Sequence, residues 1–201
     1  MQKENYQLKT EAVISALGGE KPSLLLHSCC GPCSSYVLEY LSQYFRITLL
    51  FYGPNIQPRE EYELRLAHQR RVLEHIGAEI MECDYDGPAF EALARGYEQE
   101  PEGGERCTRC FALRIGETAR RGAEAGFDYY CTTLSVSPHK DARRINALGE
   151  HFGELYGVKW LPSDFKKRGG YQRSIALSRE WDLYRQDYCG CLYSKKIKNR
   201  E

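Results

Sequence analysis

No apolar run in this chain approaches the roughly 20 residues that a membrane-spanning helix needs, so no membrane span is expected. Net charge is also missing. Lys+Arg and Asp+Glu number 28 each, which leaves no global field to draw the chain to nucleic acid or lipid. Local basic runs, Lys166-Lys167-Arg168 and Lys195-Lys196-Ile197-Lys198, are judged separately. The opening stretch MQKENYQLKTEAV lacks the apolar core of a secretory signal, which predicts a cytoplasmic protein with reduced thiols. No internal repeat or low-complexity linker divides the 201 residues, and residues 1–201 are expected to form one α/β domain.

Cysteine, by contrast, is abundant. Nine fall into three groups and two singles: Cys29, Cys30 and Cys33; Cys107 and Cys110; Cys189 and Cys191; Cys83 and Cys131. An odd total argues against a fully paired disulfide framework, and clusters in a reduced compartment point to metal binding or redox catalysis. Cys83 and Cys131 sit in strand-like patterns and are expected to be buried core thiols.

Short apolar runs at 23–28, 46–53, 77–86, 127–135 and 158–162 read as strands bounded by Gly and Pro. Helical periodicity lies between them. Tyr62, Leu66, Leu73 and Ile76 share one face between Pro58 and Gly77; Phe111, Ile115 and Ala119 recur every fourth residue; Ile145, Leu148, Phe152 and Leu155 form a third stripe. This alternation predicts a Rossmann-like parallel sheet flanked by helices, whose ligands lie at the carboxyl ends of the strands. HSCCGPCSS (27–35) begins where the first strand ends, with Pro32 suited to the first turn of a helix. A cysteine-rich site is therefore expected at that end of the sheet.

Cys30-Gly31-Pro32-Cys33 has the thioredoxin spacing, and a thiol at a helix N-terminus suits exchange chemistry. A thioredoxin, however, has no use for Cys29 and places antiparallel strands after its central helix. Cys107 and Cys110 make a second Cys-x-x-Cys, and two such groups commonly bind zinc or an iron–sulfur cluster. The adjacent Cys29 and Cys30 diverge and hold different irons of a multinuclear cluster more readily than one tetrahedral ion. Cys189-Gly190-Cys191 reads as a strained, labile disulfide or as two further ligands. His27 reads as a structural hydrogen-bonder. SPHKDARR reads as a helix start with a solvated basic face, or as a phosphate contact through Lys140, Arg143 and Arg144. DFKKRGG with Tyr171 has the charge and aromatic character of single-stranded RNA recognition, through Lys166 and Lys167.

Together and in order, HSCCGPCSS, FYGPNIQPREEYELR, CDYD, RCTRCFALRIGETA, TTLSVSPHKD, DFKKRGG and YRQDYCGCLYS resemble the epoxyqueuosine reductase QueH family over about residues 22–195. The resemblance implies a cobalamin-independent oxidoreductase that removes the epoxide oxygen of epoxyqueuosine at the wobble position of transfer RNA. It implies a fold akin to HUP-class nucleotide hydrolases and a [4Fe–4S] cluster with an additional iron nearby. It also implies Cys29, Cys30, Cys107 and Cys110 as cluster ligands and Cys189 with Cys191 as a redox-active pair. Cys33 and Asp84 are the candidate ligands of the additional iron. The segment 165–201, in which the tail pair follows WDLYRQDY (181–188), read as helix, is expected to pack near the site, and the electron donor is unidentified. Two other readings stand beside this one. A PP-loop-like iron–sulfur transfer RNA thiolase needs a glycine-rich phosphate loop where this chain has thiols. A zinc-stabilised RNA-binding module needs neither Cys189 nor Cys191.

Overall fold

The computed structural model describes residues 4–198, with side chains described through residue 195. Residues 196–198 of the second basic run therefore have no described side chains, and residues 1–3 and 199–201 of the expected domain lie outside the described residues.

Five parallel strands run β1 (Ser23–Ser28), β2 (Arg46–Phe51), β3 (Glu79–Glu82), β4 (Tyr129–Thr132) and β5 (Lys159–Trp160), ordered β3-β2-β1-β4-β5 across the sheet. The central strand explains its sequence. Leu24, Leu25 and Leu26 are all fully buried, because a parallel strand covered on both faces has no polar side. Among the described residues eight helices accompany the sheet: α1 (Tyr6–Ala16), α2 (Gly31–Leu41), α3 (Arg59–Ile76), α4 (Gly87–Ala94), α5 (Glu105–Glu124), α6 (Ala142–Tyr156), α7 (Gly170–Glu180) and α8 (Leu192–Lys198). α2 packs on α3 and α7, and α5 on α6. The strand order reverses between β1 and β4, where doubly wound sheets open a crevice for ligands. The expected α/β architecture is present.

The differences are local. β3 stops at Glu82 and β4 at Thr132, after which Thr133–Val136 form a 3-10 turn. Leu155, expected on the apolar stripe of α6, is 61% exposed because the helix ends at Tyr156, beyond the rim of the short β5. WDLYRQDY is not helical. α7 ends at Glu180, and Asp182 takes a left-handed φ of 48° that breaks the helical path. The chain then lies along α3, whose Arg71 donates to the Trp181 carbonyl and whose His68 Nδ1 accepts from the Tyr184 amide. Asp141 caps α6 by accepting from the Arg143 and Arg144 amides, as a helix start at SPHKDARR requires.

α6 approaches β5 closely at Gly149, where a Cβ would stand 2.2 Å from the Trp160 indole. Gly149→Ala must therefore displace Trp160. The expected loss of stability is about 1–3 kcal/mol, typical of an overpacked core, as read from chemical denaturation. An unchanged midpoint would show that the indole moves freely.

Candidate active site

Seven of the nine cysteines line two adjoining cavities at the β1/β4 crevice. The outer cavity, of about 620 Å³, is lined by Cys29, Cys30 and Cys33 from the start of α2, by the 3-10 turn after β4, and by Gln186, Asp187 and Cys189 from the tail. The inner chamber, of about 70 Å³, is lined by Cys107 and Cys110 of α5 together with Cys189 and Cys191. Cys189 lines both spaces, as do Lys140 and Ser194. Cys83 is half-buried in the edge region, and Cys131 is buried in β4 with its thiol on the Leu161 carbonyl at 3.3 Å.

Local geometry explains how the thiols are placed. Cys30 is the N-cap of α2 in extended backbone, so Cys29 and Cys30 leave the strand just before the helix begins. The Gln186 amide donates to Cys30 Sγ at 3.0 Å, and the Gly103 amide donates to Cys107 Sγ at 3.2 Å. Behind them His27 is fully buried, with Nε2 donating to the Tyr52 carbonyl at 2.9 Å and Nδ1 accepting from Thr132 at 2.7 Å. Burial drives its pKa down to about 3, so it stays neutral. This is a structural role.

Burial and neighbouring sulfur raise Cys29, Cys30, Cys107 and Cys110 toward the neutral thiol. Burial pushes Cys110 up to about 12. Cys29 is raised by its hydrogen bond with Cys30 and by burial. For Cys30 the contact with Cys29 pulls downward, but the contact with Cys33 and burial outweigh it and leave it at about 11. Cys33, hydrogen-bonded to Cys30, is lowered.

Two buried guanidiniums face this sulfur without a carboxylate ion pair among the described residues, although Glu102 and Asp141 also line the inner chamber. Arg114 is fully buried, with Nε on the Cys110 carbonyl, Nη1 3.7 Å from Cys29 Sγ, and Nη2 unpartnered. Burial alone would lower its pKa, yet the facing sulfurs of Cys110, Cys29, Cys189 and Cys107 raise it. Arg106 is 1% exposed. Its Nη1 reaches the Tyr97, Glu98 and Glu100 carbonyls, while Nε and Nη2 have no partner. Burying an ion unpaired costs several kcal/mol, against about 5–15 kcal/mol for a whole domain's stability. Arg106 lies over the Tyr193 ring and Arg114 reaches Cys29 Sγ, where anionic sulfur would complete its pairing. Anionic sulfur there fits thiolate-bound metal.

Among the described residues no three His, Cys, Asp or Glu side chains gather as a group that could hold one metal ion. A single zinc needs four donors within about 2.3 Å of one point, whereas each iron of a cubane takes its own thiolate, so the donors spread further apart. Cys29 and Cys30 in one cavity and Cys107 and Cys110 in the adjoining one are the thiols available to such a centre.

The expected RNA-contact residues are not gathered together. Lys140 faces thiols: burial opposes its charge, but Cys189, Cys33 and Cys29 raise its pKa. Arg144 lines the inner chamber and donates to the Gly103 carbonyl at 2.7 Å. Arg143 is exposed and lines neither cavity, Lys166 is ion-paired with Asp164, and Lys167 is exposed. Asp84 is exposed and lines neither cavity, because β3 is the edge strand of the sheet, separated from β4 by β2 and β1. It is not brought to Cys33.

Residues 24–197 match the family model for epoxyqueuosine reductase QueH. The chain belongs to the QueH family. Epoxyqueuosine reductase QueH of Streptococcus pyogenes serotype M1 is 42% identical over 205 residues, covering 98% of this chain and 80% of that one. The QueH of Staphylococcus epidermidis is also 42% identical, over 203 residues, covering 96% of this chain and 85% of that one. Among solved structures, the U34-tRNA thiolase NcsA from Methanococcus maripaludis with its [4Fe-4S] cluster superposes with a TM-score of 0.54 at 14% identity, over 96% of this chain and 70% of that one. That likeness shows a shared fold. In this chain the segment after β1 is SCCGPCSS, thiols and not a glycine-rich phosphate loop.

Sequence reasoning missed Arg65, Asn55 and Arg114. Arg65 of α3 is 1% exposed, pairs with Glu61 at 2.7 Å, and donates to the Tyr188 and Cys189 carbonyls at 3.2 and 3.1 Å. The Tyr188 hydroxyl donates to the Gln57 carbonyl, and the Gln57 amide donates to the Gly190 carbonyl. These bonds hold the Cys-Gly-Cys turn over the chamber. Arg65→Ala removes the cation paired with Glu61, which keeps only the Tyr184 hydroxyl, and leaves the Tyr188 and Cys189 carbonyls without their donor. It is expected to cost about 3–5 kcal/mol, the range for breaking a buried ion pair, and to open residues 181–191 to limited proteolysis. Resistance equal to the parent chain would contradict the anchoring role.

Proposed function

We propose that this QueH-family chain removes the epoxide oxygen of epoxyqueuosine at the wobble position of transfer RNA by a cobalamin-independent, iron–sulfur route. The observation that carries the reading is the meeting of seven cysteines with two carboxylate-free buried guanidiniums at the crevice of the sheet. Cys29, Cys30, Cys107 and Cys110 would hold a [4Fe–4S] cluster. When bound, such a cluster supplies electrons one at a time. For an additional iron, Cys33 lines the outer cavity and is the candidate ligand, whereas Asp84 lines neither cavity.

The reaction consumes two electrons and two protons per epoxide and yields an alkene and water. Oxidation of the Cys189 and Cys191 thiols to a disulfide supplies that number of each, and an external reductant must restore the dithiol. Cys189 opens onto the outer cavity, where the modified nucleoside would enter, whereas Cys191 is buried against the Ser194 hydroxyl. Lys140 places a cation beside the same sulfurs, suited to stabilise negative charge on the departing oxygen. The outer cavity, of about 620 Å³, falls in the size range of small-molecule sites and suits one extruded nucleoside. Arg185, exposed on the cavity lining, and the exposed Lys167 would meet phosphates.

Alanine at Cys29, Cys30, Cys107 or Cys110 is expected to lower bound iron and acid-labile sulfide and to bleach the visible absorbance of anaerobically purified protein. Serine at Cys189 or Cys191 is expected to keep iron and colour while turnover on epoxyqueuosine-bearing transfer RNA falls at least tenfold. Loss of iron in the serine variants would make them ligands, and full turnover would remove them from the chemistry.

A further inference from the structure

Asn55 lies in the loop between β2 and α3, and it is 1% exposed. Neither its Nδ2 nor its Oδ1 has a partner in the protein. A Cβ on Gly190 would stand 2.9 Å from its Nδ2, so the amide sits against the Cys189-Gly190-Cys191 turn. It lines the inner chamber with Cys107, Cys110, Cys189 and Cys191.

The chamber wall holds more than one such group. Arg106 Nε and Nη2 and Arg114 Nη2 are also buried and unpartnered, and both residues line the same space. Four nitrogen donors from three residues therefore lack acceptors around one small chamber. Buried donors are almost always paired, so their concentration points to a ligand rich in acceptors. A substrate nucleoside does not fit about 70 Å³, and neutral thiols accept weakly. Thiolate and sulfide, which are compact and anionic, match the donors in both charge and size.

We infer that Asn55 donates a hydrogen bond from Nδ2 to sulfur of the metal centre and, with Arg106 and Arg114, sets how readily that centre accepts an electron. The inference rests on the cluster reading above. Asn55 is a positioning residue: it holds no iron and transfers no proton. Hydrogen bonds to cluster sulfur draw off electron density and favour the reduced state, so each one raises the reduction potential. Asparagine suits the place because it adds a donor without adding a third buried charge.

The test is Asn55→Leu, close to asparagine in shape and without polar atoms, with Asn55→Ala in reserve should the leucine variant not fold. Iron and acid-labile sulfide per chain are measured first on wild type and variant after anaerobic reconstitution. A dye-mediated redox titration then follows the reduced cluster by electron paramagnetic resonance. The expected result is unchanged iron and sulfide, with the ratio of reduced to oxidised cluster lowered about tenfold at the wild-type midpoint. That corresponds to a midpoint about 59 mV more negative for one electron. The metal-free variant is expected to melt no lower than metal-free wild type, since the asparagine gives up no bond within the protein. An unchanged midpoint with a full cluster would overturn the inference, as would a lower melting temperature of the metal-free variant. A wild-type chain without acid-labile sulfide would instead overturn the cluster reading and carry this inference down with it.

Discussion

Much of this molecule depends on a buried guanidinium without a carboxylate. Arg114 lies between Cys110 on its own helix and Cys29 at the end of the central strand, fully removed from water. No acidic side chain balances it, and an unpaired ion at that depth would consume a large share of a domain's net stability. The compensation has to come from sulfur, and the cysteine groups are arranged to give it. Helix α5 carries Cys107, Cys110 and Arg114 on successive turns, so the placing of one fixes the others.

The sheet brings the distant groups to that helix. Because strand order reverses between β1 and β4, the loops after these two strands diverge and leave a crevice. Cys29 to Cys33 enter from one side and Lys140 from the other, while the tail crosses above them with Cys189 and Cys191. Arg65 supplies the fixed point for that crossing. Its guanidinium satisfies two tail carbonyls and one carboxylate, so an irregular segment is held as firmly as a strand edge.

How much was legible in the sequence followed from how local the cause was. Leu24 to Leu26 announce a strand buried on both faces, because the pattern and its cause lie in the same residues. The cysteine groups and the QueH family motifs were readable for the same reason. WDLYRQDY was misread as helix because its real partners, Arg65, His68 and Arg71, lie more than a hundred positions away on α3. Asp84, a candidate for the additional iron in the sequence, follows a strand whose place at the edge only the sheet order shows. Asn55 inside GPNIQP reads as an ordinary turn residue. Its unpartnered amide becomes meaningful only when the tail is seen lying against it.

The central claim is that buried cationic donors and converging thiols are completed by iron and sulfide. The direct measurement is the metal and acid-labile sulfide content of anaerobically purified, unreconstituted chain, with its Mössbauer spectrum. The account expects about four irons and four sulfides per chain in a cubane signature, as for a [4Fe–4S] centre, with any further iron as a separate site. Stoichiometric zinc without acid-labile sulfide would contradict it.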